Sequence, residues 1–248
     1  MEQPNPSPVH QLNDDQLATF DQEYAHDGLW KPIKDCIDMD FPDGRFRFLD
    51  VGGGNGVFAD RILAAYPEST GAVLDNSALL LERNRPNPRK TLIYKGAEAL
   101  AGLDGGKFDL ICMNWLLHHM IGPSYRQTRA NMVQVLRDAR AALTPRGRIS
   151  IYDNMYDGLL IDNAPGWIIY QATSSRLLSR LVRMGGANTA GIGVCFQSRK
   201  SWLSLLGRAG IGVVKYNPED NLWKIPRYWN VCLHIRDIRN AHFWAKAA

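Results

Sequence analysis

Asp50 follows the apolar pair Phe48-Leu49 and stands just ahead of Gly52-Gly53-Gly54-Asn55-Gly56. An apolar run that ends in an acid and breaks into glycines reads as a buried strand, a tight turn and the start of a helix. Glycines in such a turn let a ligand touch bare backbone. The acid bears on the ligand's charge. A pyrophosphate wants backbone N–H groups without a carboxylate beside them, whereas a carboxylate suits a cation. A Gly-Lys-Ser/Thr phosphate loop is excluded, because Val57 and Phe58 follow Gly56. The dinucleotide pattern is incomplete, with Val57 where a third small residue belongs. Further on, Asn114-Trp115-Leu116-Leu117-His118-His119 gathers an amide, an indole and two imidazoles behind a second apolar run. An imidazole titrates near pH 6.5, about right for taking a proton near neutrality. An indole offers a flat wall to a planar substrate. Two bland roles stand beside these: a histidine supporting the fold through a buried hydrogen bond, and Trp115 packing in the core.

The elements that must hold these residues follow from periodicity. Strands are expected at 45–51, 70–74, 91–95, 108–114 and 148–153. Helices are expected at 57–66, at 77–84 with Asn76 or Ser77 as cap, and at 124–143. This alternation predicts an α/β, doubly wound, seven-stranded and mostly parallel sheet. Residues 1–44 read as an N-terminal helical cap in which Leu17, Phe20, Tyr24, Leu29, Ile33 and Ile37 recur at helical spacing. Gly28 and Pro32 suggest a break between two helices there. The pattern is interrupted at 154–197 by a helix at 167–184 and a Gly-rich stretch at 185–193. It resumes over 198–248 with a helix ended by Gly210 and two late strands, 211–216 and 229–236, in an antiparallel hairpin. The domain reading is thus a cap (1–44), a core (45–153), an insertion over the strand ends (154–197) and the rest of the sheet (198–248).

The 248 residues suffice for one α/β domain with an elaboration. The net charge of +4 is mild and does not argue for nucleic acid. Arg83, Arg85, Arg89 and Lys90 are interrupted by Pro86 and Pro88 and read as a solvated loop. Among Cys36, Cys112, Cys195 and Cys232 no pair has metal-ligand spacing, and all but Cys36 lie in apolar contexts and read as buried thiols. That pattern suits a reducing compartment, the cytoplasm. The first residues carry no basic-then-apolar leader, and no apolar run approaches the roughly 20 residues of a membrane span.

Asp50-Val51-Gly52-Gly53-Gly54-Asn55-Gly56 resembles the D/E-x-G-x-G-x-G motif of class I S-adenosylmethionine (SAM)-dependent methyltransferases. Phe108-Asp109-Leu110-Ile111-Cys112-Met113-Asn114, Leu143-Thr144-Pro145-Arg146-Gly147-Arg148 and Ala209-Gly210-Ile211 are similar to later motifs of that family, in order. The resemblance covers about 45–153 and 198–236 and implies SAM as cofactor with no metal. It implies cofactor contacts from Asp50, Gly52, Gly54, Asn55 and Gly56, and from Asp75 and Asn76 at the ribose. Ala97 and Glu98 would lie at the adenine, and Asn114 at the methionine end. The other role open to Asp75 is helix capping. His118 and His119 become candidate bases, while Trp115, His119, Asn154, Trp167, Tyr170 and Arg176, with Tyr24 and Trp30 from the cap, become candidate substrate contacts. Packing of the inserted helix onto the sheet is the other reading of Trp167 and Tyr170. A closed pocket implies a small aromatic or heterocyclic acceptor methylated on nitrogen or oxygen. The combination of Trp115, His118, His119 and the insertion is similar to heteroaromatic N-methyltransferases of antibiotic pathways, of the azapteridine (toxoflavin) type. The alternatives are O-methylation of a phenol or quinone precursor, an RNA-modifying enzyme, or a non-catalytic SAM-binding protein. No nucleic-acid or membrane partner is expected, and the chain is expected as monomer or homodimer.

Overall fold

The computed structural model describes residues 27–103, 106–175, 191–219 and 222–248. Seven strands form one sheet: β1 (Arg47–Val51), β2 (Thr70–Asp75), β3 (Lys90–Tyr94), β4 (Phe108–Asn114), β5 (Leu143–Gly158), β6 (Ile211–Pro218) and β7 (Ile235–Ala247). Their order is β3-β2-β1-β4-β5-β7-β6. The first five run parallel, and β7 is antiparallel to both β5 and β6. This is the expected α/β doubly wound architecture. The chain moves outward from β1 to β3, then returns to place β4 on the other side of β1. The crevice of such a sheet opens at that reversal, beyond the carboxyl ends of the strands.

Strand alternation divides the sheet between two cores. Leu49, Val51, Ile111, Met113, Ile149 and Ile151 face α4 (Tyr125–Ala141) and α6 (Arg199–Arg208), which contribute Met132, Leu136, Trp202 and Leu205. Phe48, Val73, Leu110, Tyr152 and Trp244 face α1 (Asp27–Asp40) and α2 (Val57–Ala65), which contribute Leu29, Ile33, Phe58 and Ile62. The short α3 (Ala78–Glu82) starts at Ser77, whose Oγ accepts the Leu80 N–H at 3.3 Å. Ser124 and Ser198 cap α4 and α6 in the same way.

Six expectations change. α1 runs unbroken through Pro32 because Leu29, Ile33 and Ile37 are buried on one face, and that docking outweighs the local break. β5 continues past Asp153 to Gly158, paired with β7 throughout, so the sheet extends into the stretch read as an insertion. Residues 227–232 form α7 (Arg227–Cys232), and the last strand begins only at Ile235; the buried alternation that matters surrounds Asn240 and His242, two polar residues that hide it. The inserted helix, α5 (Ala164–Ser174), starts earlier than expected, and the rest of that expectation lies outside the described residues. Burial of the thiols also differs: Cys36 is buried and Cys232 exposed. Arg89 and Lys90 are not solvated. Arg89 donates to the carbonyls of Leu63, Tyr66 and Ser69, and Lys90 forms a part-buried ion pair with Asp60 at 2.6 Å.

Asp40, the last residue of α1, staples the helix to the sheet. Its carboxylate accepts from Arg148 Nε at 2.7 Å and Trp244 Nε1 at 2.6 Å. Burial opposes ionisation of Asp40, but the Arg148 and Trp244 donors outweigh it and hold the group below its ordinary value. The stabilisation is therefore present above the unfolded aspartate pKa and is lost as pH falls through the lower folded one. Asp40→Ala should cost about 2 kcal/mol at pH 7. In urea titrations the gap from the parent should narrow below about pH 4; a gap that ignores pH would show that packing alone joins α1 to the sheet.

Candidate active site

The loop after β1 is built from glycines for steric reasons. Gly52, Gly54 and Gly56 have φ of +71°, +49° and +74°, a left-handed region open mainly to glycine. A Cβ on Gly52 would stand 2.7 Å from Leu116 Cδ1, and one on Gly53 would stand 2.5 Å from Asp50 Oδ2. The loop is thus pressed between its own acid and the chain leaving β4. Asp75, at the end of β2, accepts the Gly54 N–H at 2.9 Å and the Ser77 N–H at 2.8 Å, and it is also bonded by the Asn76 N–H. Three backbone donors leave about one further lone-pair site on that carboxylate. Asn84 closes the loop from below, with Nδ2 donating to Gly54 O at 2.8 Å. Asp50 is buried and its Oδ2 has no partner among the described residues. Burial first, and the Asp75 carboxylate second, push Asp50 up to about 7 against the pull of Lys90.

The chain leaving β4 supplies the opposite wall. Asn114 is buried, and neither polar atom of its side chain has a partner among the described residues. Trp115 adopts φ +48°, in the left-handed region, which is strained for a bulky residue. Its Nε1–H donates to Asn154 Oδ1 at 3.1 Å, and its ring meets Tyr152 edge-on at 4.8 Å. His118 is buried and lies 2.6 Å from Asp153 Oδ1 through Nδ1. A carboxylate can only accept, so Nδ1 carries the proton and Nε2 is left as the acceptor. The Cys195 N–H donates to the His118 carbonyl at 2.9 Å, and Phe196 packs on the imidazole at 4.9 Å. The His119 ring lies 4.1 Å from that of His118. Burial first, and the neighbouring His118 second, lower His119 well below its ordinary 6.5, which favours its neutral form.

The remaining expected site residues divide. Asn55 is half-buried and accepts the Val57 N–H at 3.2 Å; Asn76 is exposed. Ala97 is buried and Glu98 exposed, at the short 3-10 turn after β3. Trp30 does not reach the crevice: it is buried against Phe58 with the Arg61 guanidinium over its ring, because it lies on the face of α1 that docks on α2. Tyr170 is also a packing residue, buried beside Tyr125 with its hydroxyl donating to Gly122 O at 2.8 Å. Trp167 is 50% exposed on the outer face of α5. Tyr24 and Arg176 lie outside the described residues. The partners Asp153, Asn84 and Phe196 were not anticipated. Asp153 had a signal, an acid at a strand end, but its pairing with His118 spans 35 positions. No group of three or more His, Cys, Asp or Glu among the described residues could hold a metal ion. No helix among them is long and apolar enough to cross a membrane.

Comparison with known proteins agrees with this geometry. Residues 49–149, from β1 into β5, match the model of a methyltransferase domain. Over 217 residues, 84% of its length, the chain is 26% identical to 8-amino-8-demethylriboflavin N,N-dimethyltransferase of Streptomyces davaonensis. It spans only about half of that relative, 52%. Among solved structures, a SAM-dependent methyltransferase of Leishmania major superposes with a TM-score of 0.62 at 18% identity, covering 92% of this chain and 76% of that one. Mitomycin 7-O-methyltransferase superposes with a TM-score of 0.54 at 17% identity, covering 83% and 50%. The fold is that of the Rossmann-like methyltransferases.

The raised Asp50 has a consequence for stability. Between the ordinary 3.8 and about 7, the folded chain holds a proton that the unfolded chain has released. Stability therefore falls as pH rises across that window and levels off above it. Asp50→Asn removes the titration. Its stability relative to the parent should climb from about pH 4 to about pH 7 and then stay flat. A difference independent of pH would return Asp50 to an ordinary aspartate.

Proposed function

We propose that this chain is a SAM-dependent methyltransferase that moves a methyl group to a nitrogen of a small aromatic or heterocyclic metabolite. The observation that carries the reading is the pair of unsatisfied buried groups beside the glycine loop, Asp50 Oδ2 and the whole amide of Asn114. Leaving buried polar atoms unpaired is costly, so they ask for a ligand with both donors and acceptors. The amino-acid end of SAM has both: an ammonium suited to the Asp50 and Asn114 oxygens, and a carboxylate suited to Asn114 Nδ2. The glycine loop would approach that ligand with backbone alone, and Asp75, with room for one more donor, suits a ribose hydroxyl. Asn76, Ala97 and Glu98 would lie on the adenine side. When bound, SAM supplies a methyl group activated by its sulfonium.

The chain's own residues would then align the acceptor and receive its proton. Trp115 forms a flat wall whose ring is held by Asn154 and Tyr152. His118, oriented by Asp153, presents a basic Nε2, and neutral His119 stands against it. A nitrogen acceptor is supported by the N,N-dimethyltransferase relative, which aligns over most of this chain. Mitomycin 7-O-methyltransferase, alike in fold, supports oxygen as the second reading. A role in secondary metabolism of the cytoplasm belongs to the same proposal.

Methyl-labelled SAM offered with a panel of aromatic amines, ring-nitrogen heterocycles and phenols tests this directly. Label should pass to a nitrogen compound and not to the phenols; transfer to the phenols alone would favour oxygen. His118→Ala should lose about a hundredfold in kcat, the typical worth of a positioned base, with S-adenosylhomocysteine affinity retained. Normal turnover in both His118→Ala and His119→Ala would leave alignment as the whole mechanism. Calorimetry that detects no S-adenosylhomocysteine binding would defeat the transferase reading.

A further inference from the structure

One face of the sheet carries a row of polar residues across four adjacent strands. On the side facing α1, Asp50 of β1 lies opposite Cys112 of β4, Asn114 of β4 opposite Tyr152 of β5, and Asn154 of β5 opposite Asn240 of β7. Three of these, Asp50, Asn114 and Asn240, are at least nine-tenths buried and keep side-chain atoms without partners among the described residues. The first two lie where the cofactor reading needs them. Asn240 is far along the row, beyond Asn154, and nothing in that reading uses it.

The polarity of this outer pair is determined by its neighbours. Glu219 accepts the Tyr152 hydroxyl on Oε1 and Asn240 Nδ2 at 3.0 Å on Oε2. A carboxylate cannot donate, so it must face the NH2 group of Asn240, and the unpaired atom is the acceptor Oδ1. The indole N–H of Trp115 can only donate, so it must face Asn154 Oδ1, which turns Nδ2 of Asn154 away as a donor. Side chains directly opposite on antiparallel strands stand about 5 Å apart at Cβ. A donor from Asn154 and an acceptor from Asn240 are therefore held side by side, next to the Trp115 ring.

We infer that Asn154 and Asn240, oriented by Trp115 and Glu219, form a subsite that reads a cis N–H/C=O edge, the edge of a cyclic lactam or imide, on the acceptor molecule. The inference rests on the transferase reading and narrows its substrate class: a planar ring carrying a lactam edge, whose face lies against Trp115. The lactam N–H donates to Asn240 Oδ1, and the lactam carbonyl accepts from Asn154 Nδ2. Glu219 is a positioning residue, since it prevents the Asn240 amide from turning over.

The test uses 2-quinolone and N-methyl-2-quinolone, flat probes that differ in the one donor. Both are titrated by ligand-observed NMR into the full chain with saturating S-adenosylhomocysteine. The parent should prefer 2-quinolone by about tenfold, the worth of one buried hydrogen bond and its unpaired partner. Asn240→Leu should bring the two probes to near equality. Glu219→Gln offers Asn240 an NH2 group as well as an oxygen, so it frees the amide to turn, and the preference should shrink or invert; this second variant covers the case in which Asn240→Leu folds poorly. Equal binding of the two probes by the parent, binding of neither up to solubility, or a preference that survives both variants would overturn the subsite. Failure of S-adenosylhomocysteine to bind would strike the transferase reading instead, and the probe comparison repeated without it would still judge the lactam subsite.

Discussion

The antiparallel ladder between β5 and β7 is what the site depends on. It pairs the strands from Ile149–Ala245 to Gly158–Ile235 and carries β5 well past the ends of its parallel neighbours. Without that support the end of β5 would be a single extended segment unpaired on one side. With it, Asp153 and Asn154 become fixed points. They are consecutive, so the pleat sends their side chains to opposite faces. Asp153 reaches the α4 side and holds His118; Asn154 reaches the α1 side and holds Trp115. One step along one strand thus positions both walls offered by the chain leaving β4.

The glycine loop is constrained just as closely, but by crowding rather than pairing. Leu116 occupies the space a Gly52 side chain would need, and the Asp50 carboxylate occupies that of Gly53. Asp75 and Asn84 then tie Gly54 at its N–H and its carbonyl. The loop is held before any ligand arrives, and Asp75 owes its first allegiance to that scaffold. Its helix-capping role and a ligand role are compatible, because a carboxylate has about four lone-pair sites and three are used here.

Local patterns made the parallel half of the sheet legible. Each strand from β1 to β4 is a short apolar run punctuated by Gly, Pro or a capping Ser, and each such signal sits within a few residues of the element it marks. The glycine loop and the motif after β4 were legible for the same reason. What escaped was long-range or disguised. β7 was misplaced because Asn240 and His242 sit in its buried stretch, where polar residues suggest a loop. His242 is buried because Ser150 and Asn217 bond its two ring nitrogens, and neither partner is near it in the chain. Trp30 reads as a ligand contact, and Tyr170 as either a contact or a packing residue, because an aromatic on an amphipathic helix looks the same whether it faces a core or a cleft. Only the docking of α1 on α2, and of α5 on the α4 start, decides between them.

On the proposed reading, a bound cofactor and acceptor would supply partners to the unpaired atoms along the α1 face. Each buried orphan costs about 1–3 kcal/mol, a large share of the 5–15 kcal/mol that separates folded from unfolded domains. Stability alone would favour apolar residues of similar shape at Asn114 and Asn240, neither of which is needed to pair a strand through its side chain. Asp50 adds a carboxylate that burial drives toward the neutral form. A ligand that satisfies these groups binds the folded chain alone and recovers what the empty site forgoes, so occupancy and stability are linked by mass action. On that reading the polar row is half of an interface, and its direction, from the glycine loop across β4 and β5 to β7, traces how far the proposed pair of molecules would extend.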